Sequence, residues 1–488
     1  MAESLVPSAN RPLSFSPQEV FQAAAQARRA FDQWRCRSFR ERGICLERIR
    51  RRLAQEAASW AGLISEDVGK PILEALGSDL LGSLEALRLL VRRGQRWLAP
   101  EPIPRSRLDR LRGSVRARLI YEPLGVVGVI GTWNYPLGIN LAQIASALFC
   151  GNAVLWKPSE LALRTAERLE RLFQEAGLPP GLFTALPGDG VVGEHLLKAG
   201  CDKILFTGQG RTGRKILSQL SEQGIPAILE LSGMDPALVC RDAPVPLAAE
   251  GLAWGAMTAG GQSCVAARRL IVDERLLPRF LPAFLERVRS LRVGDPRDPA
   301  TEIGPLRTPE QVERLEGLIG EALSSGATLL AGGGRLRDRA GRFFQPTVLA
   351  GLNHSLRIVQ EEFFGPVALI LPARDEEEMV ALANRSAYGL GASVWTRDLR
   401  RGRRLALDLQ AGVVWVNEVL VSAGDFRLPF GGLKGSGFGR VHGAQGLRQL
   451  TNLKCIEENR PGRFRPHYFP YSRKKYEQLL QLIRWRHA

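Results

Sequence analysis

Four short apolar runs rich in β-branched residues, GVVGVIG (125–131), AVLWK (153–157), KILFT (203–207) and AILEL (227–231), are separated by stretches of helical pattern. Strands spaced at such intervals pair through helical crossovers, and the outcome is a parallel sheet with helices on both faces. A second alternation runs through RRLIV (268–272), PVALILPA (366–373), GASVW (391–395) and GVVWV (412–416). The chain, at 488 residues, also exceeds what one core serves. The predicted fold class is therefore α/β, with two doubly wound parallel-sheet domains and a hinge near Ser232-Gly233. The first hundred residues predict successive helices instead. Ser16-Pro17-Gln18-Glu19 has capping-box spacing with proline at the first helical position, and Ser38 to Glu41 repeats that spacing.

Composition narrows the function classes. Seven cysteines, with no CxxC among them, predict reduced thiols and not a disulfide frame or a zinc site. His195, His354, His442, His467 and His487 never meet a cysteine or carboxylate at ligand spacing, so no metal is expected. The start, MAESLVPSANRPLSFS, lacks a basic segment followed by an apolar one, and no apolar run is long enough to span a bilayer. A cytoplasmic protein is the expectation. The 67 Lys and Arg against 50 Asp and Glu give +17, which could mean a nucleic-acid or membrane partner. Basic clusters such as RIRRRLAQ and RDLRRGRR are scattered and mostly lack interleaved aromatics, so a solvated arginine-rich surface is the preferred reading over a nucleic-acid site.

Two features carry chemistry. After KILFT comes GQGRTG (208–213), a G-x-G-x-x-G loop between a strand and a helix, where free N–H groups and close backbone approach suit a pyrophosphate. Its ligand-free alternative is a tight strand-to-helix turn. That pattern also wants an acidic residue about 20 positions on for a ribose, and Glu230 stands near that distance, so Glu230 has two candidate jobs. The second feature is TAGGQSCVAARR (258–269), in which small neighbours Gly260, Gly261 and Ser263 leave Cys264 open to approach, as a nucleophilic thiolate requires.

The segments EPLGVVGVIGTWNYP (122–136), GNAVLWKPSE (151–160), LFTGQGRTG (205–213), LELSGMDPALV (229–239), GQSCVA (261–266), GRFFQPTV (341–348), EEFFGPV (361–367) and PFGGLKGSGFGR (429–440) together resemble the aldehyde dehydrogenase superfamily, in its order and spacing. TWNYP and FPYSRKKYEQLL (469–480) are most similar to the class 3 branch, which acts on fatty and aromatic aldehydes. The resemblance implies NAD(P)-dependent oxidation of an aldehyde to an acid. Cys264 would attack the carbonyl, Asn134 and the backbone N–H of Cys264 would hold the oxyanion, and Glu230 would activate water to release the thioester. It also moves the adenosine ribose to Lys157 and Glu160, freeing Glu230 for chemistry, and implies NAD as cofactor with NADP accepted. Glu362 and Phe364 match the residues that hold the nicotinamide ribose and ring. Gly208 and Gly213 keep the family's pyrophosphate pattern, whereas Gln209 departs from its usual serine. Met234 replaces a frequent lysine. Trp133 either lines the cofactor cleft or belongs to the core.

The implied organisation is an NAD-binding domain (1–104 and 124–231), a catalytic domain (232–440), a small β oligomerisation arm (105–123 and 441–459) and a tail (460–488), in a homodimer. KKYEQLLQLIRWRH predicts a short basic helix with one apolar side, expected to dock near the partner's substrate entrance in preference to lying on a membrane. Pocket size is expected to depend on loops near residues 80–90, 135–140 and 420–430. The alternatives are a CoA-acylating dehydrogenase, which the presence of Glu230 disfavours, and a basic non-catalytic relative that binds nucleic acid or membrane.

Overall fold

The computed structural model describes residues 15–104, 116–336, 342–459 and 468–487, the side chains of residues 422 and 423 apart. Residues 105–115 of the expected arm and 460–467 of the expected tail lie outside the described residues.

The helices Pro17–Trp34 and Phe39–Gln55 begin at the predicted caps. The Ser16 hydroxyl accepts the Glu19 N–H while the Glu19 carboxylate accepts the Ser16 N–H at 2.8 Å, and Ser38 and Glu41 repeat the exchange. Of the arginines in RIRRRLAQ, Arg50 and Arg51 pair with Glu47 and Arg52 pairs with Glu56, so this basic run is a surface of local ion pairs.

The four apolar runs of the first half are the parallel strands Val126–Ile130, Ala153–Lys157, Lys203–Thr207 and Ala227–Glu230, joined by Phe183–Ala185. Val126–Ile130 has Ala153–Lys157 on one side and Lys203–Thr207 on the other. Chain order therefore reverses between the Val126–Ile130 and Lys203–Thr207 strands, and a crevice opens there beyond the carboxyl ends of the strands. Gly437–Phe438 adds an antiparallel edge, with Gly437 opposite Glu230.

The second sheet runs in the order Thr328–Ala331, Thr347–Ala350, Val367–Ala373, Ala267–Asp273, Asp235–Val239, Gly391–Trp395, Val413–Val416, parallel except at its first pair. Successive strand residues point to opposite faces. Leu270 and Val272 accordingly join one apolar core and Ile271 the other. The strand Ala227–Glu230 continues through residues 231–234 directly into Asp235–Val239, so the two sheets abut. A third, antiparallel sheet joins Glu101–Ile103, Arg116–Pro123 and Thr451–Glu458. The helix Arg473–His487 has no buried residue.

Candidate active site

A cleft of about 1580 Å³ lies between the sheets. From the first sheet come the segments that follow strand carboxyl ends: Trp133 and Asn134, Lys157 and Glu160, Gly208 and Gln209, and Glu230 itself. The second sheet contributes segments that precede strand amino ends, Cys264 before Ala267–Asp273 and Glu362 and Phe364 before Val367–Ala373. Thus ten of the eleven residues singled out from the sequence line one cleft.

Gly213 is the eleventh and faces away from the cleft. A Cβ there would sit 2.6 Å from Leu231 Cδ2, so its small size serves the packing of the helix Gly210–Gln223 on the sheet.

Cys264 is partly exposed, whereas Cys45, Cys150, Cys201 and Cys240 are buried. The sequence suggests an electrostatically favoured thiolate, but the surroundings do the reverse. Burial first, and then the carboxylates of Asp235, Glu362 and Glu230, push the thiol above its usual range, so this site needs a base to ionise it. Glu230 is 6% exposed, and neither of its carboxylate oxygens has a hydrogen-bond partner in the protein. Burial raises its pKa well above normal, with Arg440 opposing. A carboxylate left so poorly solvated is a proton acceptor.

Asn134 is fixed at both ends of its amide. Its Nδ2 donates to the Gln262 carbonyl at 2.9 Å, and its Oδ1 accepts from Thr132 Oγ1 at 2.8 Å. The second Nδ2 hydrogen is left for a ligand. Trp133 is half-buried and meets the Phe364 ring edge-on, with centroids 5.9 Å apart, so it lines the cleft.

The cleft fits a dinucleotide. The helix Gly210–Gln223 opens without a side-chain cap at Gln209, and Arg211, Arg214 and Lys215 line the cleft beside it, which suits a pyrophosphate. Buried Lys157 donates to Glu160 Oε2 at 2.8 Å. Burial raises the Glu160 carboxyl, but the Lys157 bond and its own backbone N–H outweigh that and leave it below its usual range, hence ionised and able to accept ribose hydroxyls. Glu362 accepts the Gly233 N–H at 3.1 Å and is also bonded by the Ser232 side chain, which fixes its carboxylate at the cleft.

Several residues of the site were not predicted. Glu74, from the cleft wall, accepts the Thr258 hydroxyl at 2.8 Å and the Ala259 N–H at 2.7 Å, and burial raises it to about 7. Nothing local in GKPILEA marks it, since its partners are 184 and 185 residues away. Arg268 had a signal: two arginines stand near the start of a fully buried strand, Ala267–Asp273. The expected loop at 80–90 is instead the end of a π-helical turn, Ala75–Leu81, leading into the helix Gly82–Trp97. Leu76 and Leu81 in this turn are exposed, and Leu81 lines the cleft.

Residues 12–456 match the model of the aldehyde dehydrogenase family. The chain is 36% identical over 470 residues to 4,4'-diapolycopene aldehyde oxidase of Methylomonas sp, covering 95% of this chain and 86% of the relative. It is 36% identical to the NADP-dependent succinate-semialdehyde dehydrogenase of Deinococcus radiodurans over 434 residues, 88% of each. Among solved structures, an aldehyde dehydrogenase of Mycobacterium tuberculosis complexed with NAD+ superposes with a TM-score of 0.86 at 32% identity, covering 91% of this chain and 90% of the other. The chain belongs to the aldehyde dehydrogenase family. It is an NAD(P)-dependent enzyme that oxidises aldehydes, with both NAD and NADP represented among its relatives.

Proposed function

We propose that the cleft oxidises an aldehyde carrying an apolar tail to its carboxylic acid through a thioester on Cys264. The observation that carries the mechanism is the unpartnered, buried Glu230 carboxylate in the same cleft as the thiol. Glu230 or a water beside it takes the proton from Cys264, and the sulfur adds to the aldehyde carbon. The free Nδ2 hydrogen of Asn134 and the backbone N–H of Cys264 stabilise the resulting oxyanion. A nicotinamide held in this cleft would supply the acceptor for the hydride that must leave this carbon. Cys264 then holds the acyl group as a thioester, and Glu230, its first proton released to solvent, removes a proton from the attacking water as the C–S bond breaks to the thiolate, releasing the acid. Trp133 and Phe364 would flank the nicotinamide, Glu362 would hold its ribose, Lys157 and Glu160 would hold the adenosine ribose, and Gly208 and Gln209 would meet the pyrophosphate.

The tail is read from the apolar side chains that also line the cleft, Leu73, Leu81, Trp254, Val421, Phe426 and Phe430. Among the described residues, the lysines and arginines of the cleft are Lys157, Arg211, Arg214, Lys215 and Arg314, which lie with the proposed cofactor contacts. His442, against the Phe426 ring at 4.1 Å, is pulled down to about 3 by burial and stays neutral. An anionic tail such as that of a semialdehyde acid would meet Glu74 and Glu85 with no cation to answer it.

The two abutting sheets support the division into an NAD-binding part (1–104 and 124–231) and a catalytic part (232–440). The exposed Leu453 on the edge strand Thr451–Glu458 supports an arm that pairs with a second copy in a homodimer. Unpaired thiols throughout fit a reducing, cytoplasmic setting.

The test is NADH or NADPH formation across aldehydes graded in length and charge, with wild type and Cys264→Ala. Apolar aldehydes are expected to exceed succinate semialdehyde in kcat/KM, and Cys264→Ala to abolish turnover. Substantial turnover by the variant overturns the covalent mechanism, and a preference for the semialdehyde acid overturns the substrate class.

A further inference from the structure

Arg268 lies four residues past the nucleophile and is 1% exposed, yet no proposed step uses it. Its guanidinium donates to three backbone carbonyls: Gly261 and Ser263, in the turn that ends at Cys264, and Gly365 at 2.8 Å, next to Phe364. The face of the group lies over the Phe363 ring, 4.7 Å from its centroid. The two loops also touch directly. The Gly365 N–H donates to the Gly261 carbonyl at 3.3 Å, and a Cβ on Gly261 would lie 1.9 Å from the Gly365 oxygen. Gly261 further requires φ +66°, so the turn is held in a conformation that only an unsubstituted residue takes without strain.

Burying a guanidinium is costly unless it is bonded and faced by opposite charge. Both conditions are met, by the three carbonyls and by Glu362 and Asp235 nearby. Burial brings Arg268 down to about 10, which still leaves it a cation at pH 8.

We propose that Arg268 is a positioning residue that locks the Cys264 turn to the loop bearing Glu362 and Phe364, while supplying the positive charge that offsets the carboxylates around the thiol. This rests on the role given to Cys264 above. The rigid fork matters because it reaches carbonyls of both loops at once, which an ammonium cannot do with the same geometry. The groups that face the thiol electrostatically are Asp235, Glu362, Glu230, Tyr135 and Arg268.

The experiment uses the full chain with Arg268→Gln and Arg268→Lys. Iodoacetamide alkylation of Cys264, followed site by site by mass spectrometry without cofactor, is measured against pH, and NAD affinity by tryptophan fluorescence. Arg268→Gln is expected to move the alkylation midpoint up by about one pH unit, making the reaction roughly tenfold slower at pH 8, and to weaken NAD binding. Arg268→Lys is expected to keep the midpoint, because the charge remains, while still losing NAD affinity through loosened loops. A wild-type midpoint and NAD affinity in Arg268→Gln overturn the proposal, as does loss of folding in both variants, which would make Arg268 a structural residue only. Wild-type protein that forms no NADH in a Cys264-dependent way would instead sink the proposed chemistry and leave the alkylation result standing.

Discussion

Replacing Glu230 with glutamine should make the protein more stable and nearly inactive at once. The side chain keeps its shape, but a 6% exposed carboxylate with two unpartnered oxygens loses its charge. A buried unsatisfied polar group costs about 1–3 kcal/mol, and a charged one more. Glutamine still buries an amide, so a gain of about 1–3 kcal/mol is the expected scale. With an unfolding entropy of about 2 cal/mol/K per residue over 488 residues, that is a rise in Tm of about 1–3 °C. The sign depends on pH. Because burial raises the folded-state pKa of Glu230, its contribution to wild-type stability is full at acid pH and is lost as pH rises through that raised value. The variant's advantage should therefore be largest at alkaline pH and vanish on acidification. In stopped-flow assays with saturating aldehyde and NAD, the variant should release a burst of one NADH per site. Turnover should then settle roughly 10²–10⁴-fold below wild type, the range a general base supplies. A lower Tm at pH 8.5 would refute the electrostatic reasoning. Undiminished steady turnover would refute the role in thioester hydrolysis, and a large loss of NAD affinity with normal chemistry would return Glu230 to the ribose.

Other perturbations separate the remaining readings. Glu160, held ionised by Lys157, should repel a 2′-phosphate, so kcat/KM is expected to favour NAD over NADP by roughly fivefold, given about 1 kcal/mol for charges 4 Å apart in water; equal or better values with NADP refute this. Gly213→Ala should lower stability by about 1–3 kcal/mol through contact with Leu231, with the KM for NAD little changed; loss of NAD affinity at unchanged Tm would restore Gly213 as a cofactor contact. Among the exposed cysteines, Cys36→Ser and Cys455→Ser should each retain activity, while buried Cys45→Ser should retain activity with a measurable loss of Tm. Deleting residues 468–488 should alter the preference among long aldehydes if the exposed helix docks on a second copy. Co-sedimentation with anionic vesicles that the deletion abolishes would make a membrane the partner of that helix instead.

The sequence by itself determined the elements and most of the site. Periodicity located eight of the apolar strands, because parallel strands covered on both faces must be continuous apolar runs, but it missed the buried strand Asp235–Val239, whose Asp-Pro start interrupts the apolar pattern. Capping located the first two helices, because the box is satisfied within four residues. Motif resemblance picked out Cys264, Glu230 and Asn134, which the fold brings to one cleft. Only the tertiary structure decided what depends on distant partners. Gly213 fits a phosphate loop on paper, but the side chain that occupies its space, Leu231, is set by how helix and sheet stack. Glu74 meets Thr258 and Ala259 only because the tertiary fold brings the end of the short helix Ile72–Glu74 against the turn that leads to the nucleophile. The thiol's difficulty in ionising comes first from burial and then from Asp235, Glu362 and Glu230, which reach it from different segments of the chain. Local pattern fixes which residues bond to their sequence neighbours, whereas burial and charge at a site are sums over everything folded around it, and those sums exist only in three dimensions.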